Sequence, residues 1–194
     1  MTGIPPLVPG ASKGAWRRWA NETWARIDVA GLSPQVVGHL AAWEPARSAE
    51  TILFYLPMPG EIDLSGFSDG VVTARLLVTR TPLDGLLTVH PLSVPLERHR
   101  YGFMQPVADA PHADPESIDV ALVPGRVFDR RGGRLGRGAA YYDRLLPGLK
   151  PGALLVGVCP SVLIADRLPT DEHDVRMTHL ATELGVEAVD IGAR

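Results

Sequence analysis

Cysteine and lysine are almost missing from this sequence. Cys159 is the single thiol in 194 residues, which excludes an internal disulfide and any multi-cysteine zinc site. A lone thiol suits a reducing compartment, so the cytoplasm is the expected location. Lysine occurs only at positions 13 and 150, and arginine supplies the other 17 basic residues. Long apolar runs are missing too. The longest, near Ala153–Cys159, falls far short of the ~20 residues a spanning helix needs. Neither charge sign dominates: 19 basic against 22 acidic residues leave a net charge of −3. That excludes a bulk electrostatic grip on nucleic acid. Met1–Ser12 holds three prolines and no charged n-region, unlike a signal peptide. Residues 1–11 read as a flexible lead-in and residues 12–194 as one domain.

Hydrophobic residues make up 45% of the chain and charged residues 21%, ordinary values for a globular domain able to bury a sizeable core. Ser12 fits a helix cap, and Trp16, Trp19, Ala20 and Trp24 follow at helical spacing, predicting a helix over Lys13–Ile27 with the tryptophans as packing residues. Ser33-Pro34 reads as a second helix start, with the helix running to Trp43. Thr51–Leu56, Ile118–Val123 and Ala153–Cys159 are short apolar runs that read as buried strands. Val71–Thr79, Gly85–Val89 and Met177–Ala181 are further strand candidates, and Glu61–Gly70 fits a helix start without requiring one. Ser93–Pro115 reads as one long loop, a length often tied to function. Apolar strands alternating with helical segments predict an α/β domain with a largely parallel central sheet flanked by helices.

The chemistry concentrates in Val123–Arg144, VPGRVFDRRGGRLGRGAAYYDR. It follows a predicted strand and enters a helix expected over Ala139–Leu146. Gly125, Gly132, Gly133, Gly136 and Gly138 would let backbone N–H groups approach an anion, and the helix N-terminus would add partial positive charge. Arg126, Arg130, Arg131, Arg134, Arg137 and Arg144 crowd into 19 residues. Guanidinium forks suit phosphate oxygens, and like charges this close favour an anionic partner. In open α/β sheets ligands bind beyond the carboxyl ends of the strands, where this loop must sit. The segment is neither a Walker A loop nor a dinucleotide fingerprint. His90, His99, His112, His173 and His179 form no H-x-x-x-H pair and read as ordinary polar or core residues.

The residue order closely resembles the signature of the 5-formyltetrahydrofolate cyclo-ligase (methenyltetrahydrofolate synthetase) family, V-P-G-x-A-F-D-x-x-G-x-R-L-G-x-G-x-G-Y-Y-D-R. Val123-Pro124-Gly125, Phe128-Asp129, Gly132, Arg134-Leu135-Gly136, Gly138 and Tyr141-Tyr142-Asp143-Arg144 match in register. Weaker likenesses lie in Lys13-x-x-Trp16-Arg17, Tyr55-Leu56-Pro57 with Glu61-Ile62-Asp63, Tyr101–Pro106, Leu168-Pro169 through His173-Asp174, and Thr182-Glu183-Leu184-Gly185. The chain departs from the family at Ala140, where the last signature glycine stands, at Gln105, where Glu is frequent, and at Thr178, where Asp is common.

The resemblance implies a fold similar to the sugar-phosphate isomerase and CoA transferase-like proteins. It implies cyclisation of 5-formyltetrahydrofolate to 5,10-methenyltetrahydrofolate with ATP and Mg²⁺, releasing ADP and phosphate. Lys13, Arg17, Arg134, Leu135, Gly136, Arg137, Gly138, Ala139, Ala140, Tyr141 and Tyr142 would bind ATP, with Arg134 stabilising the transferring phosphoryl group. Leu56, Glu61, Arg137 and Tyr141 would line the folate site, and Asp143 and Asp174 would hold Mg²⁺. Taken without the resemblance, Lys13 and Arg17 fit a solvated helix face, Glu61 and Asp143 fit helix-start acids, and Asp174 fits a turn. A monomer acting on a reduced folate, without nucleic acid or membrane, is the expected setting. Two other readings stay open. A phosphosugar isomerase-like enzyme would need a catalytic acid/base pair in the glycine loop. A homologue that binds nucleotide or folate without turnover would fit a disabling change at Ala140 or Thr178.

Overall fold

The computed structural model describes residue 7 and residues 10–70, 73–82 and 85–190. The expected lead-in falls mostly outside these, as do the first residues of the strand expected from Val71. The order begins with helices α1 (Lys13–Trp24), α2 (Val29–Ala42) and α3 (Glu44–Ser48) and strand β1 (Thr51–Phe54). A helical turn, α4 (Phe67–Gly70), leads to β2 (Arg75–Arg80), β3 (Thr88–Pro91), β4 (Leu96–Arg98) and β5 (Met104–Pro106). Then come β6 (Val120–Pro124), β7 (Val127–Asp129), β8 (Arg134–Leu135), α5 (Tyr141–Leu145), β9 (Leu154–Val158) and β10 (Ile164–Ala165). β11 (His179–Thr182) and β12 (Gly185–Ala188) close the described chain.

Seven strands form the central sheet in the order β12-β11-β9-β6-β1-β2-β3. The five inner strands run parallel, and an antiparallel strand borders each edge. This is the mostly parallel α/β architecture expected. β1 is buried at all four residues and β6 at its first four, as strands covered on both faces must be, which is why their sequences are apolar without alternation.

The Ser12 cap holds: its Oγ accepts from Ala15 N at 3.2 Å. Trp16, Trp19, Ala20 and Trp24 are buried as packing residues. α1 stops at Trp24 rather than Ile27, because Arg26 N and Ile27 N bond back three residues, to Thr23 O and Trp24 O, in a tighter turn. α2 starts at Val29, not at the Ser33-Pro34 signal. Asp28 Oδ1 accepts from Gly31 N and supplies the cap. Pro34 therefore lies inside the helix, at the cost of one backbone hydrogen bond. Ser33 Oγ instead donates to Val29 O at 2.8 Å and accepts from Asp63 N at 2.9 Å, tying α2 to the segment after β1.

The stretch Ser93–Pro115 is not one loop. β4 and β5 pair as an antiparallel hairpin. Gln105, 3% exposed, holds it to β2 by accepting from Thr81 N and donating to Glu97 Oε1. Arg80 Nη1 reaches Glu97 Oε1 at 2.5 Å and also donates to Pro106 O. The departure at Gln105 thus lies in a structural clasp, where its amide supplies a donor to Glu97. Thr178 is structural as well. Its Oγ1 accepts from Leu155 N at 2.9 Å and fastens the start of β11 to β9.

Candidate active site

A cleft of about 650 Å³ opens at the carboxyl ends of β1, β2 and β6. Tyr55 and Leu56 follow β1, Thr81 follows β2, and Gly125 and Arg126 follow β6; all five line it. Its wall is completed by α1, by the tip of the β4–β5 hairpin, by residues Arg134–Asp143, and by Asp171 and Asp174. Every residue assigned a site role from sequence faces this one cleft, although Lys13 and Asp174 are 161 positions apart.

The segment after β6 is not an irregular glycine loop. β7 and β8 pair as a hairpin, with β10 parallel to β7. Asp129, 2% exposed, nails the turn between β7 and β8: Oδ1 accepts from Arg131 N at 2.9 Å and Gly133 N at 2.7 Å, and Oδ2 from Leu168 N at 2.7 Å. Gly132 and Gly133 serve packing rather than an anion. A β-carbon on Gly132 would lie 2.3 Å from Met177 O, and one on Gly133 would lie 2.6 Å from Asp129 Oδ2. Gly125 makes room for the Phe128 ring.

Gly136 and Gly138 line the cleft beside the Arg134 and Arg17 side chains. A β-carbon on Gly136 would lie 2.9 Å from Arg134 Nη1. Gly138 holds φ +109, open to glycine but strained for other residues. Ala140 lies at φ 51, the one non-glycine residue with positive φ among the described residues. The signature glycine there answers a left-handed backbone, and this chain carries the strain of a β-carbon instead. Arg144 braces the strained turn from its own helix, donating from Nη2 to Ala139 O at 3.1 Å and from Nε to Ala140 O at 3.3 Å. α5 has only five residues and no side-chain cap. So short a helix supplies little of the attraction expected from a helix N-terminus.

Those groups are held in place. Arg134 is 6% exposed, its Nη2 donates to Asp143 Oδ1 at 2.7 Å, and its guanidinium lies 5.7 Å from the Tyr142 ring centroid. Arg134 Nε is buried without an acceptor among the described residues. Arg17 Nε donates to Gly136 O at 3.0 Å. Arg137 donates to Glu61 Oε1 from Nη2 at 3.0 Å, while Glu61 Oε2 accepts from Met58 N at 3.0 Å. Glu61 begins no helix; it sits in a turn whose Gly60 has φ +80. Lys13 Nζ reaches Asp174 Oδ2 at 2.5 Å and Asp171 Oδ2 at 2.8 Å. Burial pulls the Lys13 pKa down, but the two carboxylates outweigh it and hold it above the usual lysine value. Burial opposes the shift at Asp174 as well, where Lys13 keeps the carboxyl below the usual range. Burial pushes the Tyr142 hydroxyl well above its ordinary value.

Three of the six clustered arginines, Arg126, Arg134 and Arg137, line the cleft, while Arg130, Arg131 and Arg144 do not. Sequence reasoning gave no site role to Tyr55, Thr79, Thr81, Asp171 or the hairpin tip, where His99, Tyr101 and Phe103 face the cleft, and placed Arg126 only within the arginine cluster. His99 stacks on Phe103 with ring centroids 4.5 Å apart. His173, the neighbour of Asp174, is turned away, its side chain 87% exposed beside Glu172. His90 is the core histidine expected, 0% exposed between Pro111 O and Thr88 Oγ1. No helix among the described residues is long and apolar enough to cross a membrane.

The model of the 5-formyltetrahydrofolate cyclo-ligase family matches residues 17–183. The chain belongs to this family. A 5-formyltetrahydrofolate cyclo-ligase of Mycolicibacterium smegmatis is 33% identical over 150 residues, covering 70% of this chain and 74% of the relative. An Escherichia coli 5-formyltetrahydrofolate cyclo-ligase is 26% identical over 160 residues, or 78% and 87% of the two chains. The NMR structure of Aquifex aeolicus 5,10-methenyltetrahydrofolate synthetase superposes with a TM-score of 0.78 at 28% identity, covering 94% of this chain and 95% of that one.

Proposed function

We propose that this chain is an ATP- and Mg²⁺-dependent ligase that cyclises 5-formyltetrahydrofolate to 5,10-methenyltetrahydrofolate, releasing ADP and phosphate. One observation carries the reading. Side chains from α1, from the turn after β1, from the β8–α5 segment and from the loop before β11 converge on a single cleft. They are the residues the family signature ties to nucleotide, folate and metal. Phosphoryl transfer to the formyl oxygen turns that oxygen into a leaving group; the neighbouring folate nitrogen attacks the formyl carbon, and phosphate departs. The protein's share of this work is positioning and charge neutralisation.

Lys13 and Arg17, one turn apart on α1, present two cations to the phosphate chain. Gly136–Tyr142 shape the nucleotide side of the cleft. Arg134, with its buried unpaired Nε, stabilises the phosphoryl group in transfer. Leu56 and Tyr141 bound the folate side. The Glu61 carboxylate, oriented by Arg137 and Met58 N, accepts hydrogen bonds from pterin N–H donors.

Asp143 and Asp174 would hold Mg²⁺. No group of three metal-type side chains exists among the described residues. Two carboxylates facing the cleft still suit an ion that takes one or two protein oxygens and completes its shell with phosphates and water. When bound, the ion neutralises phosphate charge. Arg134 meanwhile holds Asp143 by an ion pair of 2.7 Å, and Lys13 holds Asp174 by one of 2.5 Å. The reaction would run in a reducing cytoplasm, with Cys159 fully buried. It would run in a monomer.

The test follows methenyl product by absorbance, with 5-formyltetrahydrofolate, ATP and Mg²⁺ and with each omitted in turn. Product that needs both ATP and Mg²⁺ is expected. ATP binding without product would favour a binder that has lost turnover, the reading that the strained Ala140 motivates.

A further inference from the structure

The cleft holds one cation whose surroundings the roles above do not explain. Arg126 is 7% exposed and lines the cleft just beyond β6. Its main chain is fixed on both sides: Arg126 N donates to Leu135 O at 2.8 Å, and Arg126 O accepts from Trp24 Nε1 at 2.9 Å. Its guanidinium is clamped as well. Nε donates to Asn21 Oδ1 at 3.1 Å, and the charge lies 5.1 Å from the Trp24 ring centroid. Asn21 stands one helical turn beyond Arg17, so Lys13, Arg17 and the Asn21-held Arg126 form a row along the cleft side of α1.

The other cations here are engaged: Arg17 donates to the Gly136 carbonyl, and three more face carboxylates. Lys13 has Asp171 and Asp174, Arg134 has Asp143, and Arg137 has Glu61. Arg126 has no carboxylate partner among the described residues, and its charge faces that of Arg137. Burial first, and then Arg137, brings its pKa down to about 10 against a smaller opposing pull from the Glu61 carboxylate, so it stays charged at neutral pH. A buried, unpaired guanidinium is expensive, and the ring of Trp24 offsets only part of the cost. Four of its five N–H donors remain for a ligand after Asn21 takes one. The family signature leaves this position open, so it assigns Arg126 no role.

We infer that Arg126 binds an oxyanion of the bound substrates, a phosphate oxygen of the nucleotide or a carboxylate oxygen of the reduced folate. The inference rests on reading the cleft as a nucleotide and folate pocket. Calorimetric titration of the full-length protein tests it with three probes: inorganic tripolyphosphate, a non-hydrolysable ATP analogue and 5-formyltetrahydrofolate. Arg126→Gln is expected to weaken at least one probe by about ten- to a hundredfold, the scale of a lost charge-assisted contact. Loss with tripolyphosphate and the ATP analogue places the oxyanion on the nucleotide, whereas loss with the folate alone places it on a carboxylate. Unchanged affinity for all three, with a lowered melting temperature, overturns the inference and leaves Arg126 as a strut between α1 and β6.

Arg126→Lys covers the case in which the glutamine variant does not fold. It keeps the charge but not the fork, so the same probe should lose several-fold, and equal binding of all three probes overturns the inference. The two readings fail separately. A wild-type protein without turnover removes the functional proposal while its tripolyphosphate affinity still judges Arg126. A wild-type protein with turnover, and an Arg126→Gln variant binding all three probes equally well, removes only this inference.

Discussion

The two halves of Val123–Arg144 carry three arginines each, with three glycines in the first and two in the second, yet they do different work. In the first half, up to Gly133, the charged and small residues serve the fold. Asp129 satisfies three backbone N–H groups, Gly132 and Gly133 admit Met177 and the Asp129 carboxylate, and Arg130 and Arg131 stay outside the cleft. Pro124, Gly125 and Arg126, at the end of β6, are the part of the first half that reaches the cleft. In the second half, from Arg134, the chain faces the cleft almost without interruption. A glycine signals a close approach, and the approaching group is as often the protein's own carbonyl as a ligand. One continuous motif therefore combines a structural anchor with a binding surface.

Substitutions on either side should separate the two roles. The largest expected effect is on stability in the first half. Asp129→Ala strands three N–H donors and should cost about 3–5 kcal/mol. Thermal melting should show a fall of about 6–20 °C, since each kcal/mol moves a chain this long by about 2–4 °C. A small shift would mean that Asp129 is not the anchor. Next is Arg134→Ala, expected to lower turnover at least ~100-fold, as loss of one transition-state donor does. Its melting temperature should change far less than that of Asp129→Ala. An unchanged rate would remove Arg134 from the chemistry.

A smaller effect of opposite sign is expected at Ala140. Glycine relieves the left-handed strain, so Ala140→Gly should stabilise the protein by about 1 kcal/mol, read as a rise of about 2–4 °C. Its turnover should match or exceed the parent's. A lower melting temperature would mean that the φ of 51° is not strained.

The smallest effect lies at the opposite end of β6, where Asp119 touches only structure. Lys150 above all, helped by Thr51 N and Glu50 N, outweighs burial and holds the Asp119 carboxyl below its ordinary value. The stabilisation is then present above pH ~4, near the unfolded carboxyl's pKa, and is lost as pH falls through the lower native value. Asp119→Asn should flatten the acid limb of the stability curve by no more than about 1 kcal/mol and leave turnover alone. A change in turnover would extend the functional half of the chain beyond the carboxyl ends of the strands.

The sequence made some of this legible and hid the rest for physical reasons. Thr51–Leu56, Ile118–Val123 and Ala153–Cys159 were readable because strands buried on both faces need apolar side chains at every position. The two- and three-residue strands β4, β5, β7, β8 and β10 are too short to carry any period, so two hairpins read as loops. The start of α2 was masked because Ser33-Pro34 is a good cap signal, yet Asp28 captures the helix five residues earlier. Of the site, the residues in the signature were legible. Arg126 was visible only as one of six arginines, because burial and the absence of an acid partner are properties of the fold. Ala140 was visible as a departure, while its left-handed backbone was not.

The central claim is that this cleft moves a phosphoryl group onto the formyl oxygen. The most direct measurement starts with 5-formyltetrahydrofolate carrying ¹⁸O in the formyl group, turned over with ATP, and reads the released phosphate by mass spectrometry. The account predicts one ¹⁸O in the phosphate for each methenyl product formed. Methenyl product accompanied by unlabelled phosphate would contradict it.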